Sequence, residues 1–260
     1  MAFTYSVRSR GNFNPDSKEP FRVSRSKIDL FHECPRCFYI DQRLGIKRPD
    51  TPPFSLNNAV DTLFKKEFDI HRADETPHPL MKKYKLPLVP FKNERMEEWR
   101  DALRRGISTL HKPTNLFVRG GVDDVWVDDK GKLYIVDYKA TSTEKEITLD
   151  EEWKGGYKRQ MEVYQWLFRQ NGFEVSDTGY FVYANGKQDR KAFDGKLDFE
   201  VVVLPYTGKD DWIEPILLEI KECLLLETIP ESSPDCQYCA YRRIAAEASA
   251  KYGKKDKKVK

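Results

Sequence analysis

An acidic and a basic residue lie two positions apart in the apolar segment "LYIVDYKA", residues 133–140. Side chains alternate across a β-strand, so Asp137 and Lys139 are expected on one face, where they leave the backbone roughly 6–7 Å apart. A buried charge without a partner is costly, so the two groups need either each other or a ligand. Asp123 follows two glycines on the preceding predicted strand, where another backbone or a substrate could approach closely.

Two carboxylates and a lysine from neighbouring strands suit the hydrolysis of a phosphodiester with a divalent metal ion. Oxygen ligands hold Mg²⁺ or Mn²⁺, which polarises a phosphate and activates water, and the lysine positions or deprotonates that water. The same spacing of acid and lysine recurs at Asp16–Lys18 and Asp128–Lys130, so the spacing alone fits a salt bridge at a sheet edge equally well. The pair at 137 and 139 differs because it ends an apolar strand and has a second acid one strand earlier.

A helix is predicted after these strands from the segment "GYKRQMEVYQWLFRQNG", residues 156–172. Gln160 and Tyr164 are four residues apart and therefore share one face of this helix. The aromatic side chains of Trp153 and Tyr157 could either stack on nucleic-acid bases or pack within the protein as part of the helix. Basic residues ahead of Gln160 would contact the phosphates of a nucleic acid; they are Lys154, Lys158 and Arg159.

The predicted elements follow one another in an order typical of a single α/β domain, with helices first, a sheet in the middle and helices last. Hydrophobic periodicity predicts helices over residues 27–33, 35–45, 56–71, 93–110, 156–172 and 210–227, and after residue 239. It predicts strands over residues 115–129, 133–140, 178–184 and 199–206. We expect an irregular arm over residues 1–24, the domain over residues 25–250, and a basic, solvated tail over residues 251–260.

The composition limits the class of protein. Of 260 residues, 39% are hydrophobic and 13% aromatic, and this aromatic content is too high for a disordered chain. The net charge of +3 is weak support for nucleic-acid binding. The first residues lack the apolar core of a signal peptide, and no apolar run approaches the ~20 residues that span a membrane. The expected location is the cytoplasm, where cysteines bind a metal or cluster more often than they form disulfides.

Four of the five cysteines form two C-x-x-C motifs near opposite ends of the chain. Cys34 with Cys37, and Cys236 with Cys239, can each chelate from one turn, and two such pairs are a strong signature of a four-thiolate site. The site would form only if both ends of the chain fold together. Cys223, in the apolar segment "ECLLLETI", is expected to be a buried structural thiol.

The segment "GGVDDVWVDDKGKLYIVDYKA", followed by "QMEVY", resembles the core of RecB-like nucleases in the PD-(D/E)xK superfamily. The resemblance implies a restriction-endonuclease-like α/β fold, a mixed β-sheet flanked by helices. It also implies that Asp123 and Asp137 bind a catalytic Mg²⁺ or Mn²⁺ and that Lys139 is the catalytic lysine. Gln160 and Tyr164 would then be the supporting pair that orients the site or contacts DNA.

One departure from the family pattern concerns a metal ligand. RecB-like nucleases usually carry a histidine on the helix before the hairpin, and the corresponding position here holds Asp61. Asp61 lies at the edge of the apolar face of its predicted helix. We expect it either to join Asp123 and Asp137 at the metal or to be a solvated boundary residue.

The cysteines are similar to those of a four-cysteine type of RecB-like nuclease, which includes AddB-type subunits and CRISPR-associated exonucleases and holds a 4Fe–4S cluster. Those proteins usually have one cysteine before the nuclease core and three after it, whereas this chain has two and two. The count of four fits a 4Fe–4S cluster, and Zn²⁺ would accept the same ligands. Free thiols are the third alternative.

The leading functional hypothesis is a divalent-metal-dependent DNA nuclease, an exonuclease on single-stranded or end-containing DNA. It would act in repair, recombination or CRISPR adaptation, alone or within a nucleic-acid-processing complex. The alternatives are a catalytically weak DNA-binding module of the same fold and a zinc-stabilised structural protein. The sequence leaves open the polarity of cleavage, exonuclease against endonuclease action, and DNA against RNA.

Overall fold

Two mixed β-sheets form the framework of the computed structural model, which describes residues 7–49, 55–151 and 154–253. The strands are β1 (Phe21–Ser24), β2 (Val89–Pro90), β3 (Ile107–His111), β4 (Leu116–Gly120), β5 (Asp124–Val127), β6 (Leu133–Thr141), β7 (Thr178–Gly186) and β8 (Phe199–Thr207). Within the described ranges, three strands pair in the order β1–β4–β3 and five in the order β2–β5–β6–β7–β8.

Helices pack against both sheets. They are α1 (Arg25–Glu33), α2 (Pro35–Gln42), α3 (Ser55–Ala73), α4 (Pro79–Lys83), α5 (Met96–Arg100), α6 (Gly155–Gln170), α7 (Ile213–Leu225) and α8 (Gln237–Tyr252). Pro35 occupies the first position of α2, where its missing N–H leaves no hydrogen bond unmade. None of the helices in the described ranges is long and apolar enough to cross a membrane.

The five-stranded sheet has an apolar core on each of its faces. On one face, Val125, Ile135 and Phe181 belong to the core that includes α6 and α7. On the other face, Trp126 and Val136 pack in the core that includes α3. The alternation of side chains along β5 and β6 produces this division. The predicted α/β architecture of mixed sheet flanked by helices is confirmed.

The connection between β6 and β7 positions the site. These strands pair in parallel, with Asp137 opposite Phe181. Parallel neighbours need a crossover connection, and α6 lies in this one. The crossover therefore lays α6 over the face of β6 that carries Asp137 and Lys139. The predicted hairpin is also present, since β5 and β6 pair antiparallel with Val125 opposite Ile135.

The predicted helix over residues 93–110 is wrong. Only α5 is helical there, and the chain continues into β3. Gly106 between them has φ +77°, a left-handed conformation that glycine adopts easily. Antiparallel pairing of β3 with β4 buries Ile107 completely. Burial in the sheet thus overrides the helical periodicity of this segment.

Two further differences involve strand boundaries. The strand predicted over residues 115–129 is divided into β4 and β5, which lie in different sheets and flank a bend at residues 121–123. The last four residues of the segment predicted to be irregular, 21–24, form β1, which pairs in parallel with β4. Phe13 of the same segment is buried in the main core. Of the predicted tail, residues 254–260 lie outside the described ranges.

Candidate active site

Asp137 is the most enclosed residue of the candidate site. Its side chain is fully buried, and its Oδ1 accepts a hydrogen bond of 2.8 Å from Gln160 Nε2. The same nitrogen lies 3.2 Å from the Tyr164 hydroxyl. Asp137 Oδ2 forms an ion pair with Lys139 Nζ. Each oxygen of this buried carboxylate therefore has a partner, as burial of a charged group requires.

Asp123 lies in the bend before β5, beside the strand that carries Asp137. Its Oδ2 accepts a 3.0 Å hydrogen bond from the backbone N–H of Tyr138, and its Oδ1 lies 3.4 Å from Lys65 Nζ. Lys65 also donates to Asp61 Oδ2 at 2.8 Å. The structure therefore gathers six of the predicted residues where α3, α6 and the β5–β6 hairpin meet: Asp61, Asp123, Asp137, Lys139, Gln160 and Tyr164.

Burial, with a contribution from the charge of Asp123, raises the pKa values of two neighbouring carboxyl groups, those of Asp137 and Asp61. Burial raises the pKa of Asp137 to about 7, the negative charge of Asp123 adds to the shift, and the Lys139 ammonium opposes it. Burial also raises the pKa of Asp61, and Asp123 again contributes. A bound cation relieves the electrostatic repulsion between closely spaced carboxylates. Carboxylate oxygens are also the ligands that Mg²⁺ and Mn²⁺ prefer. Asp123, with Asp137 or with Asp61, thus offers oxygen donors for a divalent metal ion, although within the described residues the three carboxylates do not all come as close to one another as the four cysteines do.

Asp124 is directed away from this site, into the interior beside α3. Its side chain is fully buried and pairs with the guanidinium groups of Arg72 and Arg100. The hydroxyl of Tyr138 donates to its Oδ2 at 2.5 Å. Arg100 Nε also donates to the backbone oxygen of Asp123 at 3.1 Å. Asp124 therefore belongs to an internal ion-pair network that fixes the backbone of Asp123.

The two glycines before Asp123 permit the close approach that the sequence predicts. A Cβ atom on Gly120 would lie 2.5 Å from Tyr164 Cε1, and one on Gly121 would lie 2.5 Å from the Cα of Ala102. Distances this short allow no side chain. The glycines let α6 and the segment after α5 close over the bend that holds Asp123.

Lys154 is the first of the three predicted phosphate contacts. Its side chain is buried, and its Nζ donates to the Thr148 carbonyl at 2.6 Å and to Glu151 Oε1 at 3.0 Å. An ammonium group bound in this way faces the protein interior. The Lys154 ammonium thus binds groups of the protein itself, and its contact with phosphates stays a prediction that this burial disfavours.

The other two predicted phosphate contacts are half-buried. Lys158 Nζ lies 5.9 Å from the ring centroid of Tyr206, and Arg159 Nε donates to Asp29 Oδ1 at 2.6 Å. The second contact ties α6 to α1. The Lys139 ammonium lies over the ring of Tyr157, and its Nζ is 4.6 Å from the ring centroid. Trp153 lies outside the described residues.

The four cysteines of the two C-x-x-C motifs converge, as predicted. Their sulfur atoms all lie within 4.8 Å of one another, with separations of 3.6 Å between Cys37 and Cys236 and 3.5 Å between Cys37 and Cys239. None of them is in a disulfide. A tetrahedral ion with bonds of about 2.3 Å needs sulfurs about 3.8 Å apart, so this donor set fits a metal. Cys223 is buried in the main core, as expected.

Arg48 supplies positive charge beside the cysteine site. Its Nη2 lies 3.6 Å from Cys236 Sγ, its Nη1 donates to Glu33 Oε2 at 2.6 Å, and its guanidinium lies 4.4 Å from the ring centroid of Tyr238. Burial raises the pKa of the Cys236 thiol, but hydrogen bonds from the Cys239 N–H and the neighbouring thiols outweigh burial and lower it to about 7. The thiolate form of Cys236 is therefore accessible near neutral pH, whereas burial raises the pKa of the Cys37 and Cys239 thiols.

Sequence reasoning missed two charged residues at these sites, Lys65 and Arg48. Lys65 follows Asp61 by four residues on one helix, and this spacing could have indicated the contact. No comparable pattern indicates Arg48, which meets Cys236 from the other end of the chain. The structural role of Asp124 was also missed, because its partners on α3 and α5 are remote in sequence.

Comparison with known proteins places the chain in a family. No curated protein sequence matches it significantly. Among solved structures, a similar chain is the crystal structure of SSO0001, which is 16% identical over 88% of this chain and 87% of that one, with a TM-score of 0.36. A likeness this low supports no conclusion about function. The profile of the PD-(D/E)XK nuclease superfamily matches residues 22–244. The chain therefore belongs to the PD-(D/E)XK nuclease superfamily.

Proposed function

We propose that the protein is a divalent-metal-dependent deoxyribonuclease that acts on single-stranded or end-containing DNA. The observation that carries the proposal is the direct contact of Asp137 with both Lys139 and Gln160, beside Asp123. Membership of a nuclease superfamily supports a nucleic-acid substrate. We infer Mg²⁺ or Mn²⁺ from the oxygen donors of Asp61, Asp123 and Asp137. When bound, such an ion would polarise the scissile phosphate and lower the pKa of a water nucleophile.

Each residue of the proposed site has a role that follows from its contacts. Gln160 donates to Asp137 Oδ1 and Lys139 pairs with Oδ2, so these two side chains together orient the buried carboxylate. The adjacent Tyr164 hydroxyl limits the rotation of the Gln160 amide. Lys139 balances the charge of Asp137 in the free protein, and its ammonium would offset phosphoryl charge and orient the attacking water. These roles rest on positioning and electrostatics, which supply most of the catalysis in phosphoryl transfer.

The cysteine site has a structural role in this proposal. The observed sulfur separations match a single tetrahedral ion such as Zn²⁺. In a 4Fe–4S cluster each thiolate binds a different iron, so the sulfurs would have to move apart to accept it. Visible absorbance of anaerobically purified protein, together with its iron and zinc content, distinguishes the two.

The test of the nuclease proposal compares cleavage of labelled single-stranded DNA, double-stranded DNA and RNA with Mg²⁺, Mn²⁺ or EDTA. We expect DNA cleavage that EDTA abolishes. Asp137→Ala and Lys139→Ala should each lower the rate at least about a hundredfold, the usual range for loss of a group that acts in proton transfer or charge stabilisation. Circular dichroism checks that both variants remain folded.

Asp16 and Lys18 provide matched controls for these substitutions. They have the same spacing of acid and lysine, and both are exposed in the arm. Asp16→Ala and Lys18→Ala remove the same charges and should leave cleavage unchanged. Activity within a few-fold of the parent in both Asp137→Ala and Lys139→Ala would contradict the proposal. Cleavage of RNA alone would contradict its DNA substrate.

A further inference from the structure

Lys65 occupies a central position among the carboxylates of the proposed metal site. Its Nζ lies 2.8 Å from Asp61 Oδ2 and 3.4 Å from Asp123 Oδ1, so one ammonium bridges two of the three proposed ligands. The side chain is only 23% exposed. Its neighbour Lys66 is exposed on the same helix. The difference shows that α3 directs one particular lysine into the site.

An ordinary helix-surface ion pair does not account for this arrangement. A pair four residues apart on one helix, such as Asp61 with Lys65, is worth a few tenths of a kcal/mol at an exposed position. Lys65 additionally reaches across to Asp123, which lies 58 residues away in the chain. Such a contact forms only when α3 docks on the sheet, which it does through Phe64 and Phe68.

The charges of the site explain why a lysine lies there. Asp123 lies near both Asp61 and Asp137, and in the part of the chain that the structure describes the ion pair of Lys139 is with Asp137. Without another cation, Asp61 and Asp123 would repel each other across the junction of α3 and the hairpin. The Lys65 ammonium is one positive charge at hydrogen-bonding distance from both, so a divalent ion held by these two carboxylates would compete with it.

We propose that Lys65 substitutes for the metal ion in the metal-free protein, holding Asp61 and Asp123 in place, and that a divalent cation must displace its ammonium to bind. Lys65 is thus a positioning residue that opposes metal binding and sets the cation concentration at which the site fills. This inference rests on the proposed metal-dependent function, because it takes the same three carboxylates as metal ligands.

The test measures Mn²⁺ binding directly, by electron paramagnetic resonance of the free ion, in the whole 260-residue chain. Lys65→Met removes the competing charge and should tighten Mn²⁺ binding about tenfold, the order of magnitude for removing one like charge a few ångströms from the ion. Lys65→Gln, which keeps a polar end group, should also tighten binding. Lys65→Arg retains the charge and should bind Mn²⁺ about as the parent does.

Lys66→Met is the matched control, since it makes the same charge change one residue further along α3 on an exposed side chain. It should leave Mn²⁺ affinity unchanged at physiological salt, where exposed charges are screened. Melting temperatures with and without Mn²⁺ give a second readout, and the stabilisation by Mn²⁺ should be larger in Lys65→Met than in the parent.

The outcomes separate this inference from the proposed function. If the parent binds Mn²⁺ and cleaves DNA but Lys65→Met and Lys65→Gln bind Mn²⁺ no more tightly, the competing role of Lys65 is overturned and the nuclease proposal stands. A tightening of similar size in Lys66→Met would also overturn it, because net charge alone would then explain the effect. Absence of Mn²⁺ binding in every variant would overturn both.

Discussion

At the scale of single residues, glycine is as important to the site as the charged groups. The ring of Tyr164 packs directly against Gly120. Tyr164 limits the position of Gln160, which donates a hydrogen bond to Asp137. These contacts connect Gly120, which has no side chain, to the buried carboxylate of Asp137. A methyl group at Gly120 would therefore act on the site without touching any charged group.

We predict that Gly120→Ala destabilises the protein by about 1–3 kcal/mol, the usual cost of inserting a methyl group into a packed interior. The displaced Tyr164 should also release Gln160 and reduce metal-dependent cleavage. Urea denaturation measures the first effect and the cleavage rate the second. Gly156→Ala is the control, because its Cβ would lie 3.4 Å from the nearest atom, Asp29 Oδ2 of α1, which is an ordinary van der Waals contact. A denaturation midpoint for Gly120→Ala equal to that of the parent would contradict the prediction.

At the scale of secondary structure, an internal ion-pair network joins α3 and α5 to the β5–β6 hairpin. Asp124 pairs with Arg72 and Arg100, and Asp69 accepts from both arginines, at 2.9 Å from Arg72 Nε and 2.8 Å from Arg100 Nη1. Burial of these charges is tolerated because each has partners. The network therefore fixes the position of α3, which carries Asp61 and Lys65, relative to the bend that carries Asp123.

Asp124→Asn should lower the free energy of unfolding by about 3–5 kcal/mol, because it leaves two buried guanidinium groups with one carboxylate fewer. The measurement is chemical denaturation followed by circular dichroism. Asp129→Asn, at the exposed turn of the same hairpin, makes the same change and should have little effect. Equal stability of the two variants would show that the network does not hold the hairpin.

At the scale of the whole molecule, the cysteine site joins segments from the two ends of the chain. Cys37 and Cys236 are 199 residues apart in sequence. In α8, Cys239 is the buried residue, whereas Tyr241 and Ile244 are largely exposed. The position of α8 therefore depends on the cysteines more than on apolar packing.

Removal of the metal, or the double substitution Cys236→Ser with Cys239→Ser, should release α8 while the sheets remain folded. Limited proteolysis should then cleave after α7, where the metal-bound protein is resistant, and the melting temperature should fall. Cys223→Ala serves as the control, since Cys223 lies in the main core and should leave metal content unchanged. Equal resistance of the metal-free and metal-bound proteins to proteolysis would contradict the structural role of the site.

The sequence by itself determined the features that depend on local periodicity. The period of two in β6 puts Asp137 and Lys139 on one face, and the spacing of four in α6 puts Gln160 beside Tyr164. The C-x-x-C spacing identifies two chelating turns. Each of these relations is set by the backbone geometry of one element, so a few neighbouring residues suffice to predict it.

The tertiary structure alone decided which elements meet and which charges find partners. Because β4 and β5 pair in different sheets, the strand predicted across Gly121 is divided, and pairing with β4 makes Ile107 part of β3. Docking of α3 on the sheet brings Lys65 to Asp123. The burial of Lys154 depends likewise on its contact with the Thr148 carbonyl. These contacts depend on how the entire chain buries its apolar surface and pairs its charges. Neither property can be predicted from the pattern of neighbouring residues.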